Sequence, residues 1–231
     1  VSESSPSFLE RHQFLIYRLF SLAGLIPVGA FLAVHLLTNA SILAGDDGRT
    51  FQSRVDMIHS LGPLLVPVEW AFIFLPMLFH AAVGFVIIAN GLPNVGSYAY
   101  VGNVRYTLQR ATGMIAFAFI VWHIMQLQPT LTSILYTIGI LSTVFHFSNG
   151  LWTLGITWGL WTSPAAMRRA NVVSIVVGLG LAAAGLGALG GFRSLDVSKA
   201  REAEVWTEKQ KRALSVPGGA LAPSPIPAST H

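Results

Sequence analysis

The sequence has no cysteine. That excludes disulfide staples, thiolate-held iron–sulfur clusters and haem attached through a Cys-Xaa-Xaa-Cys-His signature. Any cofactor is held without a covalent link to sulfur. Charge is also scarce: 10% of the 231 residues are charged against 53% hydrophobic, with a mean hydropathy of +0.61. Such a composition does not describe a water-soluble globule. The sequence lacks a glycine-rich nucleotide loop after a strand, a nucleophile constellation and a paired soluble acid–base site. A net charge of +4 and a pI near 9.8 raise the question of nucleic acid. The basic residues, however, sit in short clusters between apolar runs rather than along one face, so no nucleic-acid partner is expected.

What is present is long apolar runs. Five stretches can cross about 30 Å of hydrocarbon at 1.5 Å per residue: Phe14 to Leu43, Leu64 to Ala89, Thr107 to Gln128, Leu131 to Gly159 and Asn171 to Gly191. Backbone groups in lipid must be paired within each segment, so the expected fold is an all-α membrane protein, an antiparallel bundle of five transmembrane helices. Turn residues agree at Ala44 to Gly48, Asn90 to Asn94, Gln128-Pro129 and Ser163-Pro164. The first run follows the polar segment Val1 to Gln13, is too long for a signal-peptide core and meets no clear cleavage site, so it is expected to be retained. The expected organisation is an N-terminal segment over 1–13, a membrane domain over 14–191 and a polar, partly disordered tail over 192–231, with disorder from Val216.

Arg11, Arg18, Arg105, Arg110, Arg168 and Arg169 flank one set of helix ends, which places those ends and the N-terminus in the cytoplasm. Five spans then put the tail outside. Its basic residues Arg193, Lys199, Arg201, Lys209, Lys211 and Arg212 oppose that placement, and Asp196, Glu202, Glu204 and Glu208 only soften the conflict. The last run, with Gly178, Gly180, Gly185, Gly187, Gly190 and Gly191, reads as a packing helix.

Of seven histidines, His35, His80, His123 and His146 fall one in each of the first four runs. An intramembrane ionisable residue is a functional candidate, although a lone histidine is more often an interhelical hydrogen-bonding group. Depth distinguishes the cases. Counted from the outer ends, His35 and His123 lie about 14 and 8 Å in, and His80 and His146 about 24 and 22 Å in. Two same-level pairs on different helices, on the order of 10 Å apart along the normal, suit two b-type haems with bis-histidine ligation. A closed zinc site normally needs four ligands at one level. Local sequence repeats the pattern: Phe31 precedes His35 as Phe119 precedes His123, and Phe79-His80 with Gly84 mirrors Phe145-His146 with Gly150. Each of those glycines leaves room for a flat macrocycle or serves ordinary helix packing.

Arg18 and Arg110 are candidate contacts for haem propionates, with positive-inside anchoring as the other role. Glu69, the only acid within the five runs, is a candidate proton carrier for quinone chemistry, or else a neutral interhelical hydrogen-bonding group. Pro27 and Pro76 interrupt helix hydrogen bonding, the latter one turn before His80. His59 lies in Thr50 to Leu61, which reads as a short amphipathic helix at the membrane surface, and is not expected to ligate.

At these residues the chain resembles the membrane-anchor cytochrome b subunit of succinate dehydrogenases and fumarate reductases, in its single-chain, five-helix, two-haem form. The resemblance covers roughly Arg18 to Pro164. It is carried by Gly24 to Gly29 with His35, by Phe74 to His80, by Leu108 to Gly113 with Val121-Trp122-His123, and by His146 to Trp152. It implies that His35, His80, His123 and His146 are the axial ligands of two haem b groups. It also implies a flavoprotein subunit and an iron–sulfur subunit on the cytoplasmic face of a bacterial cytoplasmic membrane, with a quinone, commonly menaquinone, as electron partner. Succinate chemistry then lies on the partner subunits. Two other classes stay open from the residues alone: the haem b anchor of another quinone-linked dehydrogenase, and a non-redox membrane bundle with core histidines.

Overall fold

The computed structural model describes residues 8–91, 96–97, 100–125 and 133–215. The expected turns at Leu92 to Asn94 and Gln128-Pro129, and the tail from Val216, lie outside them. The secondary-structure elements among the described residues are all helical: α1 (Phe8–Leu25), α2 (Pro27–Ala40), α3 (Arg49–His59), α4 (Leu65–Glu69), α5 (Leu75–Ala89), α6 (Val101–Met125), α7 (Ser133–Thr157), α8 (Pro164–Ser194) and α9 (Val197–Ser215), with short 3-10 turns at Ser41–Ala44 and Gly62–Leu64. Among the described residues five stretches are long and apolar enough to cross a membrane: Arg11–Ala44, Gly62–Ala89, Val101–Met125, Ser133–Thr157 and Pro164–Ser194. Large apolar side chains such as Phe72, Val176 and Leu179 face outward, as lipid contact requires.

The helices run past their apolar cores because caps, not hydropathy, end them. Ser163 Oγ accepts from Ala166 N at 3.2 Å and Pro164 opens α8, so this helix starts seven residues before the apolar run. The first two spans are broken. Ile26 separates α1 from α2 because Pro27 has no amide hydrogen to give. Before Pro76 the second span widens into a π-helical turn, Trp70–Phe74, where Leu75 N–H reaches the Trp70 carbonyl.

The chain forms two compact units, the first over 1–33 and 66–182 and the second over 34–65 and 183–231. In the first unit α6 and α7 are antiparallel: positions 105, 109, 119 and 123 meet 149, 146, 139 and 136. α1 opposes α5 in the same way, through Phe20 with Gly84 and Gly24 with His80. Here α8 is seated by Ser174 Oγ, which donates to the Ser148 carbonyl, and by Gly178, where a Cβ would stand 2.9 Å from Ser148 Oγ.

In the second unit a tight turn follows α2, with Gly45, Asp47 and Gly48 at φ of 73°, 56° and 87°. Asp46 Oδ2 then accepts from Thr50 N and Oγ1 at 2.9 and 2.6 Å to start α3. Gly187 and Gly191 at the end of α8 pack on Leu43 and Ile42, and Phe51 meets Phe192 edge-on at 5.0 Å. The tail holds a helix that hydropathy does not show. α9 packs against α3, and Ala203 and Gln210 are its buried residues among those described. α3 follows the first span and α9 the fifth, so this contact puts connection and tail on one side, as an odd number of crossings requires.

Candidate functional site

His80 on α5 and His146 on α7 meet inside the first unit, with ring centroids 6.0 Å apart and planes 82° apart. Each ring is held by the same device. His80 Nδ1 lies 2.9 Å from the Phe20 carbonyl of α1, and His146 Nδ1 lies 3.0 Å from the Gln109 carbonyl of α6. As the only possible donors in these contacts, both Nδ1 atoms carry the proton, which leaves Nε2 of each ring as the nitrogen for a metal.

A side-chain nitrogen reaches a helical carbonyl only where the residue one turn further on leaves the groove open. That residue is Gly24 beyond Phe20 and Gly113 beyond Gln109. A Cβ at Gly24 would stand 2.5 Å from His80 Cε1, and one at Gly113 would stand 2.8 Å from His146 Cε1. The Phe20 ring also stacks on His80 at 4.2 Å and 7°. Sequence reasoning singled out the glycines on the ligand helices, Gly84 and Gly150. A Cβ there would make ordinary contacts of 3.6 Å with Phe20 and 3.8 Å with Gln109. The tight glycines belong to the facing helices, and a helix-to-helix search at matching depth is the signal that finds them.

His123 on α6 stacks on Phe119 at 5.7 Å, and its Nδ1 lies 3.3 Å from the Tyr136 hydroxyl of α7. Gly139 admits the Phe119 ring, which overlaps the place of a Cβ. His123 belongs to the first unit and His35 to the second, where the His35 carbonyl accepts from Asn39 Nδ2 at 2.7 Å. Among the described residues no group of three or more His, Asp or Glu could hold a bare ion. The donors that the structure brings together are the imidazoles of His80 and His146.

Two imidazoles sharing one metal at about 2 Å per bond have ring centroids roughly 6 Å apart. His80 and His146 already stand at 6.0 Å. Their all-nitrogen, neutral, paired donors in an apolar interior fit haem iron. The surroundings fit its carboxylates. Arg18 lies over Phe14 at 4.3 Å and Trp158 at 5.0 Å, and its Nε, like Trp158 Nε1, is buried without an acceptor among the described residues. Arg110 Nε is likewise buried and unpaired, but its fork caps α5 through the carbonyls of Gly91 and, at 3.1 Å, Ile87. Glu69 ends α4, half-buried, immediately before the π-helical turn. His59 ends α3 and is exposed.

Fold and site together define an all-helical integral membrane protein with a paired-imidazole centre. No protein-family model and no solved structure matches the chain. It is 35% identical over 199 residues to the succinate dehydrogenase cytochrome b558 subunit of Bacillus subtilis (strain 168), an alignment spanning 78% of this chain and 97% of that one. The chain belongs to the family of succinate dehydrogenase cytochrome b membrane anchors.

Proposed function

We propose that this chain anchors a succinate:quinone oxidoreductase in a bacterial cytoplasmic membrane and holds two haem b groups, one on His80 and His146 and one on His35 and His123. The observation that carries the reading is the 6.0 Å spacing of the His80 and His146 rings, each with its Nδ1 on a backbone carbonyl. Bound there, haem supplies reversible one-electron transfer between an iron–sulfur partner and a membrane quinone, menaquinone by family resemblance. The chain itself orients the imidazoles through their Nδ1 contacts and offers Arg18, Trp158 and Arg110 to carboxylate groups. The N-terminus lies in the cytoplasm with the flavoprotein and iron–sulfur subunits, and the tail lies outside.

The test is spectroscopic. Haem-supplied, purified protein is expected to show a reducible b-type spectrum, and absence of that spectrum overturns the reading. The 82° between the His80 and His146 planes adds a signature. Crossed imidazoles leave the two iron d orbitals of π symmetry nearly equal in energy, so that component is expected to give a strongly anisotropic low-spin ferric EPR signal. A rhombic signal of moderate anisotropy from that component is the contrary result.

Glu69 is the proposed proton carrier at the quinone. Glutamine keeps its shape and hydrogen bonding but exchanges no proton, so Glu69→Gln is expected to slow quinone-linked turnover on the order of tenfold or more while haem content holds. Unchanged turnover across pH leaves Glu69 a structural residue.

A further inference from the structure

His146 is tied to α6 twice. Besides the Nδ1 contact with the Gln109 carbonyl, Gln109 Nε2 donates back to the His146 carbonyl at 3.0 Å. The other end of that amide is occupied as well, because Gln109 Oε1 accepts from Asn149 Nδ2 at 2.6 Å. Asn149 is 2% exposed and its Oδ1 accepts from Arg105 Nε. The Arg105 guanidinium lies over the Trp152 ring at 4.2 Å and donates to Asn171 Oδ1 of α8 at 2.6 Å. Residues 105 and 109 are one turn apart on α6, and 146 and 149 are nearly one turn apart on α7. The bonds therefore form successive rungs between two antiparallel helices. Each amide has only one orientation that satisfies both neighbours.

We propose that Gln109, Asn149 and Arg105 are positioning residues that fix the orientation of the His146 ring and raise the redox potential of the haem it holds. The inference rests on the axial role assigned to His80 and His146. The direction follows from charge. Reduction of ferric to ferrous iron removes one positive charge, so a fixed cation nearby favours the reduced form. The acceptors of Arg105 are amide oxygens, which bring no negative charge to offset it, and the guanidinium stays protonated. Arg105 is half-buried near the start of α6, so solvent screens part of its field, but the oriented amide dipoles run without a break from it to His146. The orientation follows from the reciprocal Gln109 pair, which sets the level and rotation of α7 at the ligand.

The experiment uses the assembled complex and compares wild type with R105Q, R105K and Q109M. Haem content, the potentiometric midpoint of each b-type component and the EPR signals are read. R105Q is expected to keep its haem and lower the midpoint of one component, the one lost in H146A. R105K is expected to restore most of that shift. Q109M keeps the length of the side chain but not its hydrogen bonds, and is expected to reduce the EPR anisotropy of the same component. An unshifted midpoint in R105Q, or equal shifts in R105Q and R105K, overturns the role of charge. Unchanged EPR anisotropy in Q109M overturns the role in orientation. If Q109M loses the component entirely, the arginine pair alone decides. If H146A retains every component, the axial assignment has failed rather than the relay.

Discussion

Alanine at His146 or at His80 is expected to abolish or convert to high spin the same single b-type component, leaving the other intact. The two rings stand 6.0 Å apart, and on the proposed shared site either substitution would leave one nitrogen donor facing an open position. Effects of residues that act as a unit do not add. The double variant is therefore expected to match either single one, with near-complete loss in each. Reduced-minus-oxidised spectra of purified variants, supplied with haem during growth, measure this. If His80→Ala and His35→Ala removed one component and His146→Ala the other, the pairing would be wrong.

Gly24→Ala and Gly113→Ala are expected to lose most of that same component although neither residue touches a metal. The new Cβ atoms would stand 2.5 and 2.8 Å from the Cε1 atoms of His80 and His146. Ordinary carbon contacts begin at about 3.5 Å, so each ring must retreat by roughly 1 Å and leave its carbonyl partner. A displacement of that size breaks both the Nδ1 contact that fixes the tautomer and the 6.0 Å spacing of the two rings. Gly84→Ala and Gly150→Ala, whose Cβ atoms would make contacts of 3.6 and 3.8 Å, are the controls and are expected to keep most of it. The reverse ranking would return the macrocycle to the glycines on the ligand helices.

The contrast shows how far the sequence carries. The spans were legible because their apolar runs are long, and the common level of His80 and His146 followed from helical rise alone. Rotation about each helix axis was not. A lipid-facing helix is apolar on all sides, so its hydrophobic pattern does not say which face meets a neighbour, and the roles of Gly24, Gly113 and Gln109 depend on that face. The π-helical turn before Pro76 was legible only as an interruption. α9 escaped for the opposite reason. Its buried residues among those described are Ala203 and Gln210 rather than a stripe of large apolar residues, so its charge-rich sequence reads as tail.

The acceptors that select the histidine tautomers are the main-chain oxygens of Phe20 and Gln109. Every residue type owns such an oxygen, so no side-chain replacement at either position can delete it. A side-chain change at position 20 leaves that oxygen in place, whereas one at position 109 leaves it in place but also removes the side-chain rungs to His146 and Asn149. What the contact leaves no room for is a Cβ one turn on, at Gly24 or Gly113. The mark of this geometry in the sequence is therefore an absence, a missing methyl group on a neighbouring helix, and a search confined to residues with functional groups passes over it.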